Sequence, residues 1–123
     1  MLERQLWGKL KNESKRISWT RLENWALFGT PDLLGYAPSG NFFTLELKVT
    51  KGKKVRFSPH QLAWHLRHPN NTFILVEALG PRSSKLIQMY RGSRIRELVA
   101  CGFKLEACCL GLDACGLELD QLG

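Results

Sequence analysis

"GTPDLLGYAPSGNFFTLELK" (residues 29–48) sets two acids and a lysine around one short turn in an otherwise apolar stretch. "APSG" supplies the turn formers Pro38, Ser39 and Gly40. The flanking "DLLGY" and "NFFTLELKV" are rich in aromatic and aliphatic residues, so the stretch reads as the two arms of a hairpin. With a three-residue loop over Pro38–Gly40, cross-strand partners have numbers summing to 78, which sets Asp32 opposite Glu46. Side chains directly opposite on an antiparallel pair lie about 5 Å apart at Cβ, and like charges there repel. A positive group is expected between them.

Strand alternation puts Leu45, Leu47 and Val49 on the core face and Thr44, Glu46 and Lys48 on the other, beside Asp32. Two hard oxygen ligands meeting at one point favour Mg²⁺ or Mn²⁺ over zinc, and Mg²⁺ keeps waters while using one or two carboxylates plus substrate phosphate. Such an ion polarises a scissile phosphate and lowers the pKa of a bound water. Lys48 would orient or deprotonate that water and offset charge developing on the phosphate oxygens. An E-x-K tripeptide alone is common on solvent-facing strands, with Asp32 then merely a turn residue after Pro31. The "G-x-P-D" ending fourteen positions before Glu46, across a plausible turn, favours the site.

Working outward, "LERQLWGKLKN" spaces Leu2, Leu6 and Leu10 for one stripe of a helix over 2–12. "RISWTRLEN" alternates as a half-buried strand, and "TKGKKVRF" is polar, basic and glycine-containing, which predicts a mobile loop. In "SPHQLAWHLRH", Ser58 is an N-cap and Pro59 a first helical residue, with Leu62 and Leu66 on one face. "TFILVEAL" is a strand buried on both faces, "KLIQMYR" a further strand, and "SRIRELVACG" a helix ending at Gly102. The predicted order is αβββαββα. The tail "LEACCLGLDACGLELDQLG" has too many glycines to predict a helix, and either closes the core or covers a partner subunit.

The chain has 123 residues, enough for one core. No apolar run approaches the roughly 18 residues that span a bilayer, and the charged start predicts no signal peptide and a cytoplasmic home, the host cytoplasm for a viral protein. Residues 1–104 hold all eighteen bases and seven of the eleven acids, a net charge of +11, whereas the remainder has four acids and no base. A polyanion, of which nucleic acid is the commonest, is the matching partner. Lys51, Lys53, Lys54 and Arg56 directly follow the Glu46–Lys48 strand, and Arg16, Arg21 and Arg67 could flank it. Phosphate gripping of this kind is shape-selective rather than base-selective. His60 and His65 are five apart, a poor metal spacing, so for His60, His65 and His68 a structural or phosphate-contact role is expected; Trp64 reads as core or interface. Cys101, Cys108, Cys109 and Cys115 lack C-x-x-C spacing and read as reduced thiols acting as small hydrophobes.

"RLEN" (21–24), "GTPDLLG" (29–35), "LELK" (45–48) and "SPHQLAW" (58–64), in that order, resemble the PD-(D/E)XK nuclease superfamily. Within it the chain is similar to VRR-NUC (virus-type replication-repair nuclease) and Holliday-junction-resolvase-like proteins, small phage forms especially. The resemblance covers about residues 3–76. It implies an α/β (α+β), restriction-endonuclease-like αβββαβ core with a mixed central sheet flanked by helices. The whole chain would be one nuclease domain, with a core over about 2–90 and a C-terminal extension over 91–123 available for dimerisation.

The implied activity is Mg²⁺- or Mn²⁺-dependent endonucleolytic hydrolysis of branched DNA, four-way junctions or flaps, in viral or bacterial replication, recombination or repair, often by a homodimer. Asp32 and Glu46 would be the metal ligands, with the Leu47 carbonyl as a further one, and Lys48 the catalytic lysine. Gln61 matches the family's glutamine on the helix after the motif strand. An extra acid would be Glu3 or Glu23, with Glu3 preferred. The competing class is a non-catalytic DNA-binding module that keeps the fold, binds with indifference to metal and does no chemistry. A sequence-specific restriction-type enzyme is a third reading, disfavoured because no recognition domain is evident.

Overall fold

In the computed structural model, which describes residues 2–22, 29–79 and 85–122, Leu2–Glu13 form helix α1 and bury Leu6 and Leu10. Six strands follow in spatial order of sequence: β1 (Ser18–Arg21), β2 (Leu33–Tyr36), β3 (Phe42–Thr50), β4 (Thr72–Leu79), β5 (Lys85–Arg91) and β6 (Cys109–Leu110). β3 and β4 are parallel because α2 (Pro59–Arg67) carries the chain back between them, and the other neighbours are antiparallel. Helices α3 (Ile95–Cys101) and α4 (Leu112–Asp120) complete the molecule. The result is an α+β fold on a mixed sheet, with the expected αβββαβ order at its centre.

Each sheet face has its own apolar cluster. On one, Leu33, Phe43, Leu45, Leu47, Phe73 and Leu75 meet Leu6 and Leu10 of α1. On the other, Ile74, Val76 and Tyr90 meet Val55, Ile95 and Leu98. β4 is buried from Thr72 to Glu77, as its nearly continuous apolar run predicts, and the one charge in it, Glu77, is paired with Lys9 at 2.7 Å. The face bearing Glu46 is therefore not a solvent face: Glu46 is only 2% exposed.

Three expectations need correction. Residues 91–123 are not an appendage, because α3 builds the second cluster and Cys115 and Leu119 of α4 lie fully buried against α1. The tail whose glycines argued against a helix forms α4, and Gly116 lies where α4 meets the end of α1; a Cβ there would sit 3.6 Å from the Glu13 carbonyl oxygen. Leu122 is also tied in, since its carbonyl accepts from Ser39 Oγ and Asn41 Nδ2 at the β2–β3 turn.

The segment 50–57, expected to be mobile, is pinned. Thr50 Oγ1 donates to the Lys54 carbonyl (2.8 Å), Phe103 N–H donates to the Lys53 carbonyl (2.6 Å), and Val55 is buried. Gly102, at φ +65°, allows that approach, for a Cβ there would meet the Lys53 oxygen at 2.2 Å.

The core face of α2 also differs. Leu66 is 38% exposed, and the helix buries His65 instead, below Leu62. The ring fits because residue 92 is glycine: a Cβ there would stand 2.8 Å from His65 Nδ1. Neither ring nitrogen has a hydrogen-bond partner, and burial, then the neighbouring His68 and the Lys48 charge, holds the imidazole down to about pKa 4. It is neutral in the fold, so its contribution to stability is full above the unfolded value near 6.5 and is lost as pH falls towards 4. Compared by thermal unfolding across pH 4–7, parent and His65→Leu should diverge in slope, the parent losing stability more steeply below pH 6.5. Parallel curves would refute the assignment. Trp64 is half-buried and stacked on His68 at 4.1 Å between centroids.

Candidate active site

The register of the hairpin is the one read from the sequence. Leu33 pairs with Leu45 and Tyr36 with Phe42, so Asp32, one residue before β2, stands across from Glu46. Asp32 Oδ2 accepts from the Leu47 N–H at 2.8 Å, which fixes its carboxylate beside β3. Glu46 Oε2 accepts from Gln61 Nε2 at 3.1 Å, whereas Glu46 Oε1 is buried without a partner. Burial, and after it the Asp32 charge, pushes the Glu46 carboxyl up to about 9, with Lys48 pulling the other way. Two acids face each other where one proton or one cation would relieve them.

Lys48 Nζ donates to Gln61 Oε1 at 3.0 Å and lies 4.9 Å over the Phe57 ring. Gln61 thus joins both members of E-x-K. The same side chain is the third residue of a capping box: Ser58 N–H donates to Gln61 Oε1 (2.9 Å) and Gln61 N–H donates to Ser58 Oγ (3.1 Å). Sequence reasoning assigned Ser58 as cap and Gln61 only by resemblance. The S-P-x-Q spacing was the signal that they act as one unit, and Ser58 is the supporting residue it missed.

The loop before Asp32 is held by the same helix. Gly29 has φ +84°, and a Cβ on it would lie 2.3 Å from the His60 carbonyl oxygen. Gly29→Ala therefore combines left-handed strain with a backbone clash and should lower unfolding free energy by about 2 kcal/mol or more, as read from the denaturant midpoint. A variant as stable as the parent would show that the loop and α2 are not so close.

Glu3, exposed on the first turn of α1, lines a cleft of about 220 Å³ with Asp32, Leu47 and Arg21. Its charge contributes to raising the Glu46 carboxyl, although less than Asp32 does. Glu23, the other candidate for the extra acid, lies outside the described residues. Lys54 and Arg56 flank a second depression shared by Glu3 and Lys48, while Lys51 and Lys53 are exposed on the pinned segment. Arg67 is at the far end of α2 from Gln61.

Arg16 is not at the site. It pairs with Asp120 (3.1 Å) beyond the C-terminal end of α1, whereas Glu3 is in the first turn of that helix, about 15 Å from its last residue at 1.5 Å rise per residue. His60 is exposed on the first turn of α2, and the four cysteines are free thiols, of which Cys115 alone is fully buried. The small-hydrophobe reading therefore fits Cys115 and not the exposed Cys101 and Cys108.

Among the described residues no group of three or more His, Cys, Asp or Glu side chains is placed to hold a metal. Two carboxylates are what β2 and β3 bring together, which suits an ion that takes its other ligands from carbonyl, water and phosphate oxygens. The unpartnered Glu46 oxygen and the raised Glu46 pKa fit that ion, because its charge would replace the proton.

No family model matches the chain, and no curated protein does. Among solved structures the chain is similar to Hjc, a Holliday junction resolvase from Archaeoglobus fulgidus, an archaeal hyperthermophile. The two share 16% identity over 73% of this chain and 74% of that one, with a TM-score of 0.48.

Proposed function

We propose that this chain is a PD-(D/E)XK-type endonuclease that hydrolyses phosphodiester bonds of branched DNA with the help of Mg²⁺ or Mn²⁺. The observation that carries the reading is the convergence of Asp32, Glu46 and Lys48, the last two joined through the Gln61 amide. Asp32, Glu46 and the Leu47 carbonyl would hold the ion, and Glu3 adds negative charge at the cleft. When bound, the ion supplies Lewis-acid polarisation of the phosphate and a water of lowered pKa.

The protein's own residues do the rest. Gln61 holds the Lys48 ammonium over the strand, engaging one of its three donors and leaving two for the attacking water and the charge that develops on the phosphate oxygens. Asp32, fixed by the Leu47 N–H, keeps one oxygen directed along β3 rather than into solvent. Lys51, Lys53, Lys54, Arg56, Arg21 and Arg67 would grip backbone phosphates, which carry no sequence information and make binding steeply salt-dependent. Four-way junctions and flaps are both candidate substrates. Symmetric nicking of a junction needs two sites and hence a homodimer.

The experiment is cleavage of labelled four-way junction, flap and linear duplex with Mg²⁺, Mn²⁺ or chelator, with the mass of the active species measured alongside. Metal-dependent cleavage favouring branched substrates is expected. Binding without hydrolysis, unchanged by metal and by Asp32→Asn, would replace the enzyme with a non-catalytic DNA-binding module.

A further inference from the structure

Phe42 and Tyr36, cross-strand partners at the hairpin end of β3 and β2, are 57% and 42% exposed. Their rings pack on each other at 4.6 Å between centroids and 59° between planes. By alternation along β3, Phe42 shares its sheet face with Glu46 and Lys48, and at this end of the face Tyr36 and Phe42 are left uncovered. A shallow hollow of about 450 Å³ lies over it, lined by Ser18, Thr20, Leu34, Tyr36 and Phe42, with no charged side chain among them.

Size and chemistry select an occupant for the hollow. A stable subunit interface draws on roughly 20–30 residues a side, and five line this hollow. Two aromatic faces beside two hydroxyls match a nucleobase, which has a π-face and a polar edge. Phe42 lies four residues from Glu46, about 13 Å at strand rise, which is close to four base steps at about 3.4 Å each. Asn71 Nδ2 donates to the Phe42 carbonyl (3.1 Å), and Thr72 Oγ1 donates to the His68 carbonyl (2.8 Å), so the last turn of α2, with exposed Arg67, lies at the same end of the sheet. A backbone running from the site towards the rings has a cation at its far end.

We propose that Tyr36 and Phe42 form a stacking seat for an unpaired base at a DNA branch, about four nucleotides from the phosphate that Asp32 and Glu46 address. The inference rests on the nuclease reading and names what that site would select: a junction with a splayed base rather than uniform duplex. The branch point, not the sequence, would then set the cut position.

The test uses flap DNA carrying 2-aminopurine at successive unpaired positions, bound to the full chain in chelator. One position should be quenched by the parent. Tyr36→Ser/Phe42→Ser should abolish that quenching and lower the preference for flap over linear duplex about tenfold or more, while Phe42→Tyr should restore both. Circular dichroism melts confirm that the variants fold. Unchanged quenching and preference in the double variant would overturn the seat while leaving the nuclease reading intact. So would an unquenched parent whose mass halves in the double variant, which would assign the patch to a second copy of the chain. A parent that binds no DNA overturns both.

Discussion

Glu46→Gln is expected to reduce cleavage of every DNA substrate on the order of 10³-fold or more while leaving the metal-free protein at least as stable as the parent near neutral pH. The two effects have one cause. The parent buries an acid whose Oε1 has no partner and whose charge is opposed by burial and by Asp32. Glutamine has the same shape, still offers an oxygen to Gln61 Nε2, and turns the orphaned position into a donor facing Asp32. The folded-state pKa of Glu46 is raised from 4.5 to about 9, so the stability linked to its proton is full below 4.5 and is lost as pH climbs through 9. The variant should lack that decline, visible in unfolding midpoints measured in chelator between pH 5 and 9. Metal loading at pH 7 should release about one proton per ion from the parent and none from the variant, measured by calorimetry in buffers of different ionisation enthalpy. Parental cleavage rates in Glu46→Gln would end the metal-site reading.

Lys48→Met should separate chemistry from binding. Methionine keeps an unbranched apolar side chain, and the change removes the ammonium that Gln61 positions and that lies over the Phe57 ring. Cleavage under single-turnover conditions should fall on the order of 10²–10³-fold, as when a preorganised charge is removed from a developing anion. DNA affinity in chelator should change only a few-fold, since several other cations grip the backbone. Lys48 also draws the Glu46 carboxyl downwards, so its loss leaves that acid holding its proton harder, and half-maximal cleavage should need more metal. A variant that cleaves normally would reassign the lysine to packing.

What was legible beforehand was local. Turn residues and alternation gave the register of β2 and β3, and the nearly continuous apolar run of "TFILVEAL" predicted a strand covered on both faces. The proline and serine before α2 marked where that helix begins. What escaped was set by contacts distant in sequence. Nothing near Val55 says that Phe103 will pin the segment after β3, because the partner lies about fifty residues away. His65 ranks below Leu66 for burial on any hydropathy scale, yet it goes inside because Gly92 leaves the room. The glycines of the tail argued against a helix, yet α4 forms and Gly116 is where it touches α1. At the site, the three charged residues were readable from spacing, whereas the loss of Arg16 to Asp120 required knowing where α4 docks.

A single amide serves both as the brace of a helix end and as the link between Glu46 and Lys48. Helix ends open at a fraction of the free energy that unfolds a domain. The link between Glu46 and Lys48 is therefore expected to come apart when that turn frays, before the sheet melts, so that its lifetime on warming is that of a terminus.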